Sequence, residues 1–206
     1  MRKSLLFVGL VMAIGCDSTP APTDGGNTMV DGGNAMVDGG NTMVDGGPVT
    51  PDCATYCTAI MANCTGAVAQ YSSMGDCMSA CGALAVGTAA DMAGNTVGCR
   101  TYHAGAAAAM PDVHCVHAGP GGASACGSNC EGFCAIALHA CTGANMQYAD
   151  VGACMTECAG FPDTETYDTS DTGGDTLACR LYHLTVATNS PDVHCPHIVE
   201  ASPVCN

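Results

Sequence analysis

The sequence predicts a small, disulfide-rich, mainly α-helical protein: two tandem homologous helical modules behind a disordered Gly-rich linker. Three observations lead to this prediction. The chain has 206 residues with 17 Cys, close to the density of a disulfide scaffold. Sixteen of these Cys form two sets of eight with nearly matching spacing. Only ten Leu, Ile or Phe follow residue 16, which is too few for one large core, so covalent crosslinks are expected to stabilise the fold.

The N-terminus has the pattern of an export signal. A basic start, Met1-Arg2-Lys3, precedes an apolar run from Leu5 to Ile14, which is too short to span a bilayer as a helix. Residues 1–15 are therefore expected to be a signal peptide. The ending Ala13-Ile14-Gly15-Cys16 resembles the lipobox of bacterial lipoproteins. That resemblance implies acylation of Cys16 and anchoring to a lipid bilayer of the cell envelope, periplasmic or at the surface, with the membrane undecided. The alternative is an ordinary signal peptide followed by a chance Cys.

A linker is predicted for residues 16–52, beginning at the lipidated Cys. Residues 24–47 repeat every seven positions as Asp-Gly-Gly-Asn-Thr/Ala-Met-Val. Two Gly per repeat exclude a coiled coil, because each costs about 1 kcal/mol in a helix interior. The Asp spacing matches neither the nonapeptide calcium repeat nor the EF-hand loop, so a solvated tether is favoured over a calcium site.

Two homologous modules, 53–126 and 127–206, follow the linker. Besides the Cys spacing they share Cys-Arg-x-Tyr-His, beginning at Cys99 and Cys179, and Pro-Asp-Val-His-Cys-x-His, beginning at Pro111 and Pro191. This similarity indicates an internal duplication. An even set of eight Cys in an exported module implies four disulfides.

The first two helices of each module are predicted to carry nested disulfides. Cys53 and Cys57 lie at i and i+4 with Ile60 on the same helix face, and the second module repeats the pattern. Asp52 and Asn129 are the expected N-caps, Gly66 and Gly143 the expected stops, and Ser73 with Asp76 resembles a capping box for the second helix. The predicted pairs are Cys53–Cys81, Cys57–Cys77, Cys130–Cys158 and Cys134–Cys154. The connectivity of the other eight is left open: Cys64, Cys99, Cys115, Cys126, Cys141, Cys179, Cys195 and Cys205.

A third helix is predicted over residues 96–110 and again over 176–189. Asn95 and Asp175 are the expected caps, and Pro111 and Pro191 are expected to follow the helix ends.

Six of the seven His form a repeated set that is the candidate metal site: His103, His114, His117, His183, His194 and His197. Three neutral imidazoles can bind Zn²⁺ or Cu²⁺. The alternative is structural: the rings cap a helix, contact Tyr102, or hydrogen-bond carbonyl groups beside a disulfide. No cofactor is otherwise expected.

Charged residues suggest internal roles rather than catalysis. Arg100 and Arg180 are expected to form an ion pair or a carbonyl clamp within each module, with Asp112 and Asp192 as possible partners and anion recognition as the rival. The acidic stretch 163–175 is expected to be a solvated loop, with a weak cation site as the alternative.

A formal charge of -15 excludes a nucleic-acid partner, because nucleic-acid binding needs a basic face. The chain has no recognisable catalytic motif, so we expect no enzyme. The expected function is a lipid-anchored, exported, non-enzymatic envelope protein with a structural or binding role and an unknown protein or surface partner. The alternatives are a Zn/Cu-binding protein and, less favoured, a hydrolase or redox enzyme. The modules resemble Cys-rich repeats of predicted deltaproteobacterial lipoproteins, a resemblance that implies no activity.

Overall fold

Both modules contain the same succession of helices. The computed structural model describes residues 50–206; the predicted signal peptide, Cys16 and residues 17–49 of the predicted linker lie outside them. Module 1 contains α1 Cys53–Asn63, a 3₁₀ turn Gly66–Val68, α2 Met74–Cys81, α3 Val97–Ala106 and α4 Pro111–Ala118. Module 2 contains α5 Asn129–Ala140, a 3₁₀ turn Gly143–Asn145, α6 Val151–Cys158, α7 Leu177–Ala187, α8 Pro191–His194 and a 3₁₀ turn Cys195–His197. The mainly helical, disulfide-rich fold class is confirmed.

The first helix of each module begins at a capping side chain. The Asp52 carboxylate accepts a hydrogen bond from the Thr55 backbone N–H at 2.8 Å, as predicted for α1. For α5 the predicted cap, Asn129, is wrong by one residue. Ser128 is the cap, because its hydroxyl and the Glu131 carboxylate satisfy two backbone N–H groups reciprocally in a capping box.

The helices end before the predicted stops. Gly66 and Gly143 do not end α1 and α5, which finish at Asn63 and Ala140, but begin the following 3₁₀ turns at φ of 61° and 58°. Glycine adopts this left-handed conformation without steric cost. Each glycine therefore turns the chain toward the second helix.

The predicted third helix is in fact two helices. Thr96 and Thr176, not Asn95 and Asp175, cap α3 and α7. Pro111 and Pro191 begin α4 and α8 as first helical residues, where proline is favoured because its missing N–H is not needed. The sequence does not predict these fourth helices: α4 carries His114 and His117, whereas α8 carries His194 and the following 3₁₀ turn carries His197.

Eight disulfides crosslink the two modules internally. α1 and α2 are joined by Cys53–Cys81 and Cys57–Cys77, and α5 and α6 by Cys130–Cys158 and Cys134–Cys154. These are the nested pairs that the spacing predicts. The structure also gives the four pairings that the sequence leaves open, which are Cys64–Cys115, Cys99–Cys126, Cys141–Cys195 and Cys179–Cys205. The last four connect α3, α4 and their counterparts to the rest of each module.

The buried core is dominated by Cys, Ala and a few large side chains. Module 1 buries Tyr56 and Ile60 on α1, whereas module 2 buries Phe133 and three leucines of α7.

The two modules also contact each other. The Gln70 side chain donates to the Tyr167 carbonyl at 2.9 Å, and the Tyr167 hydroxyl donates to the Gln70 carbonyl. Across residues 50–206, none of the helices combines the length and apolarity needed to cross a membrane.

Candidate metal centres

Each module brings its three predicted His together. Centre 1 consists of His103 from α3 with His114 and His117 from α4. Centre 2 consists of His183 from α7, His194 at the end of α8, and His197 at the end of the following 3₁₀ turn. In each centre, one ring nitrogen from every His lies within 4.8 Å of the other two. The structure thus assembles the same trio twice.

A disulfide holds the two later His of each centre in place. Cys115 lies between His114 and His117 and pairs with Cys64 at the end of α1. Cys195 lies between His194 and His197 and pairs with Cys141. Because both sulfurs are oxidised, neither Cys115 nor Cys195 offers a thiolate ligand. Their role is to anchor the backbone that presents the imidazoles.

Centre 2 shows the convergence most directly. Nδ1 of His183 lies 2.9 Å from Nδ1 of His194 and 3.2 Å from Nδ1 of His197. A tetrahedral zinc ion with Zn–N bonds of about 2.05 Å would place its nitrogens about 3.3 Å apart. The two separations from His183 differ from that spacing by a few tenths of an ångström, and all three ligand atoms lie within 4.8 Å of one another.

Centre 1 repeats this geometry with one difference. Nδ1 of His103 lies 2.9 Å from Nδ1 of His114. Nδ1 of His117 is buried and makes no hydrogen bond within the described residues. A buried nitrogen without a partner carries a desolvation cost that a metal bond would remove.

Backbone carbonyls set the protonation of the innermost ring in both centres. Nε2 of His103 lies 3.4 Å from the Met92 carbonyl oxygen, and Nε2 of His183 lies 3.3 Å from the Thr172 carbonyl oxygen. A carbonyl can only accept, so Nε2 carries the proton and the Nδ1 of each neutral ring keeps a lone pair. Proteins orient metal-binding histidines in the same way, with the outer N–H donating to a carbonyl or carboxylate.

Burial favours the neutral form, which metal binding requires, in four of the six imidazoles. Burial lowers the pKa of His103, His117, His183 and His194 below 6.5, and neighbouring imidazoles add to the effect. Neutral rings keep their lone pairs at pH 7 and need not release a proton on binding.

Hydrogen bonds among the three rings of centre 2 cannot engage all of the Nδ1 lone pairs, whereas a bound metal ion would. The structural alternative is partly present, since Tyr102 and Tyr182 pack edge-on against His103 and His183 with ring centroids 5.1 Å apart. However, the single lone pair on Nδ1 of His183 faces two other Nδ1 atoms, and it can accept fully from only one. A cation at the shared point contacts all three lone pairs.

The predicted arginine clamp is present, but its aspartate partners are wrong. Arg100 is fully buried and donates to the carbonyls of Gly119 and Pro120 at 3.0 and 3.2 Å. Arg180 donates to the Val199 and Cys205 carbonyls and forms an ion pair with Asp175 at 2.9 Å. Neither arginine pairs with the candidate partners: Asp192 instead accepts from Asn145, and Asp112 is exposed on α4.

The acidic stretch 163–175 does not form a single site. Asp163 accepts from Asn129, Asp168 and Asp171 accept backbone N–H groups of the same turn, and Asp175 holds Arg180. These acids therefore act separately in local structure.

A surface cavity of about 550 Å³ is lined by Glu157, Phe161 and Glu200 among others, and no His lines it.

Comparison with known proteins identifies one family. The BfoA family C-terminal domain matches residues 50–130 and again residues 129–202, which together span most of the chain. No curated protein and no solved structure matches the chain. The two matched regions coincide with the two helical modules and their His centres.

Proposed function

Because the chain belongs to the BfoA family, whose C-terminal domain it carries twice, we propose that it is an exported, lipid-anchored, non-enzymatic protein that binds transition-metal ions at centres 1 and 2. The observation on which metal binding rests is the convergence of ring nitrogens within 4.8 Å in both modules. Its repetition in two modules of different core composition argues against a chance contact.

Export and anchoring are supported by separate features. Eight disulfides indicate an oxidising, extracytoplasmic location. The lipobox-like sequence ending at Cys16 supports attachment to a bilayer at the N-terminal end. The predicted Gly-rich linker would join Cys16 to the first module.

The ligand set favours Zn²⁺ and Cu²⁺. Three neutral imidazoles suit both ions, whereas the oxygen ligands preferred by Ca²⁺ and Mg²⁺ are absent from both trios. The general order of affinities places Cu²⁺ above Zn²⁺ at a site of this kind. We propose a binding role rather than a catalytic one, since the sequence contains no recognisable catalytic motif.

Metal content per chain tests this proposal. The full chain, produced in an oxidising host and extracted in detergent, is equilibrated with micromolar Zn²⁺ or Cu²⁺, freed of unbound metal and measured by mass spectrometry. We expect two ions per chain. Replacing His114 and His117 together by Ala is expected to leave one ion, and replacing His194 and His197 as well is expected to leave none.

The matched control is His139→Ala, which removes an exposed His of α5 outside both centres and is expected to leave two ions bound. A wild-type chain with its disulfides formed that binds no ion would refute the metal-binding role. Binding that survives the loss of both His pairs would place the metal elsewhere.

A further inference from the structure

Helix α2 of module 1 contacts the segment that leads into centre 2. The Asn189 side-chain amide donates to the Asp76 carboxylate at 2.8 Å, and the Ser79 hydroxyl donates to the Asn189 side-chain carbonyl at 3.1 Å. Asn189 is followed by Ser190 and Pro191, which begin α8, and His194 is the last residue of that helix. One module thus fixes the start of the helix that presents a ligand of the other.

Asp76 is a buried carboxylate without a cationic side-chain partner. It is 7% exposed and accepts from Ser73 and Asn189, both of which are neutral. The only Lys or Arg side chains between residues 50 and 206 are Arg100 and Arg180, which are held by carbonyls and Asp175. The Asp76 carboxyl therefore depends on neutral donors, of which Asn189 belongs to module 2.

We propose that Asp76 and Asn189 form an outer-shell clamp that makes centre 2 the tighter metal site of the two. This inference rests on the proposed metal-binding function. The clamp acts through position: its hydrogen bonds from α2 restrain the start of α8, the helix that ends at His194. This restraint strengthens binding without adding a direct ligand.

Centre 1 lacks every part of the clamp. In the duplicated alignment, Ala109 stands in module 1 where Asn189 stands in module 2. In module 2 itself, the positions that correspond to Asp76 and Ser79 are Ala153 and Thr156. The two centres therefore have equivalent sets of three histidines and differ in the contacts around them. Each centre can serve as the internal reference for the other.

Zinc titration of single-centre proteins tests the clamp. The His114→Ala/His117→Ala chain isolates centre 2, and the His194→Ala/His197→Ala chain isolates centre 1. With Zn²⁺ alone as the probe and a chromophoric chelator as competitor, we expect centre 2 to bind about tenfold more tightly, the lower end of outer-shell effects.

Asp76→Ala, which removes the acceptor for Asn189, is expected to remove about this tenfold advantage at centre 2 and to leave centre 1 unchanged. Asn189→Ala, at an exposed position, provides a second variant should Asp76→Ala fail to fold; it should weaken the same centre only. Glu165→Gln, which removes an exposed charge, is the control for net charge and should change neither affinity.

Equal affinities of the two centres, or a centre 2 affinity that survives both clamp variants, would overturn the clamp while leaving metal binding intact. A wild-type chain that binds no zinc at either centre would refute the proposed function, and the clamp with it. The two failures are therefore distinguishable in one set of titrations.

Discussion

Removing the Cys64–Cys115 disulfide should disable centre 1 and leave centre 2 intact. Cys115 lies between His114 and His117 on α4, and its bond to Cys64 ties that helix to the end of α1. The perturbation is the double change Cys64→Ala with Cys115→Ala, which leaves no unpaired thiol. Without the bond, the two imidazoles lose the covalent anchor that holds them opposite His103.

The expected loss of stability follows from the length of the closed loop. The bond joins residues 51 positions apart, for which the chain-entropy relation yields about 4 kcal/mol at 25 °C. The neighbouring disulfides shorten the effective loop, but they change the expected loss by only a few tenths of a kcal/mol, because the loop entropy depends on the logarithm of loop length. The loss is a large fraction of a typical unfolding free energy of about 5–15 kcal/mol.

The assay combines urea unfolding, followed by circular dichroism, with metal counting. We expect one ion per chain instead of two, together with the lower unfolding free energy. The matched control is Cys57→Ala with Cys77→Ala: this bond spans 20 positions, so its removal should cost about 3 kcal/mol, yet it flanks no His. Two ions bound to the Cys64/Cys115 variant with unchanged affinity would refute the anchoring role.

Three further predictions concern the buried Arg100, the imidazoles of the two centres and Cys16. Arg100→Gln should lower the unfolding free energy by about 2 kcal/mol, because the buried carbonyls of Gly119 and Pro120 lose donors; an unchanged melting temperature would contradict this. In the metal-free folded protein, the pKa of His103 and His183 is lowered below 6.5. On acidification, the unfolded chain therefore binds protons at a higher pH than the folded chain does. Stability should be retained above pH 6.5 and fall as the pH drops through that value, as measured by urea unfolding at several pH values; a rise on acidification would have the wrong sign. Cys16→Ser should abolish incorporation of a palmitate analogue and move the chain from the detergent to the aqueous phase, and retention in the detergent phase would argue against the lipid anchor.

Local sequence rules predict the parts of the fold that depend on neighbours in the chain. Two Cys at i and i+4 lie on one face of a helix, so two such pairs on adjacent antiparallel helices can join only a few ways, and the nested pairs follow. The pairings of Cys64 and Cys99 depend on where α4 and the segment ending at Cys126 pack. That packing is a property of the whole module, which spacing alone does not contain.

The errors of prediction have similar causes. A proline after a helical pattern predicts the end of a helix, but the fixed dihedral angle of Pro111 and Pro191 also favours a helix start. Nearby acids are the partners that sequence suggests for the two arginines. A guanidinium can equally bind carbonyls, and those of Gly119 and Pro120 become available only when the chain folds back after α4.

The duplicated His pattern could be predicted from sequence, but the difference between the two centres could not. Repetition identifies the ligands because the same three positions recur in both modules. Asp76 and Asn189 lie 113 positions apart and belong to different modules, so no periodicity connects them. The sequence shows only that both residues differ from their counterparts in the other module, Ala153 and Ala109.

The distribution of charge is consistent with cation binding at both centres. Arg100 and Arg180, the only Lys or Arg in residues 50–206, are fully buried and turned toward carbonyl groups, so the exposed charged side chains of this part are carboxylates. A dication that approaches the neutral imidazoles is attracted by this field, whereas an anion is repelled. Because salt screens such attraction over about 8–10 Å, the rate of metal association should fall with ionic strength. The dissociation rate depends on the buried ligands and should change far less, which separates the contribution of the surface from that of the centres themselves.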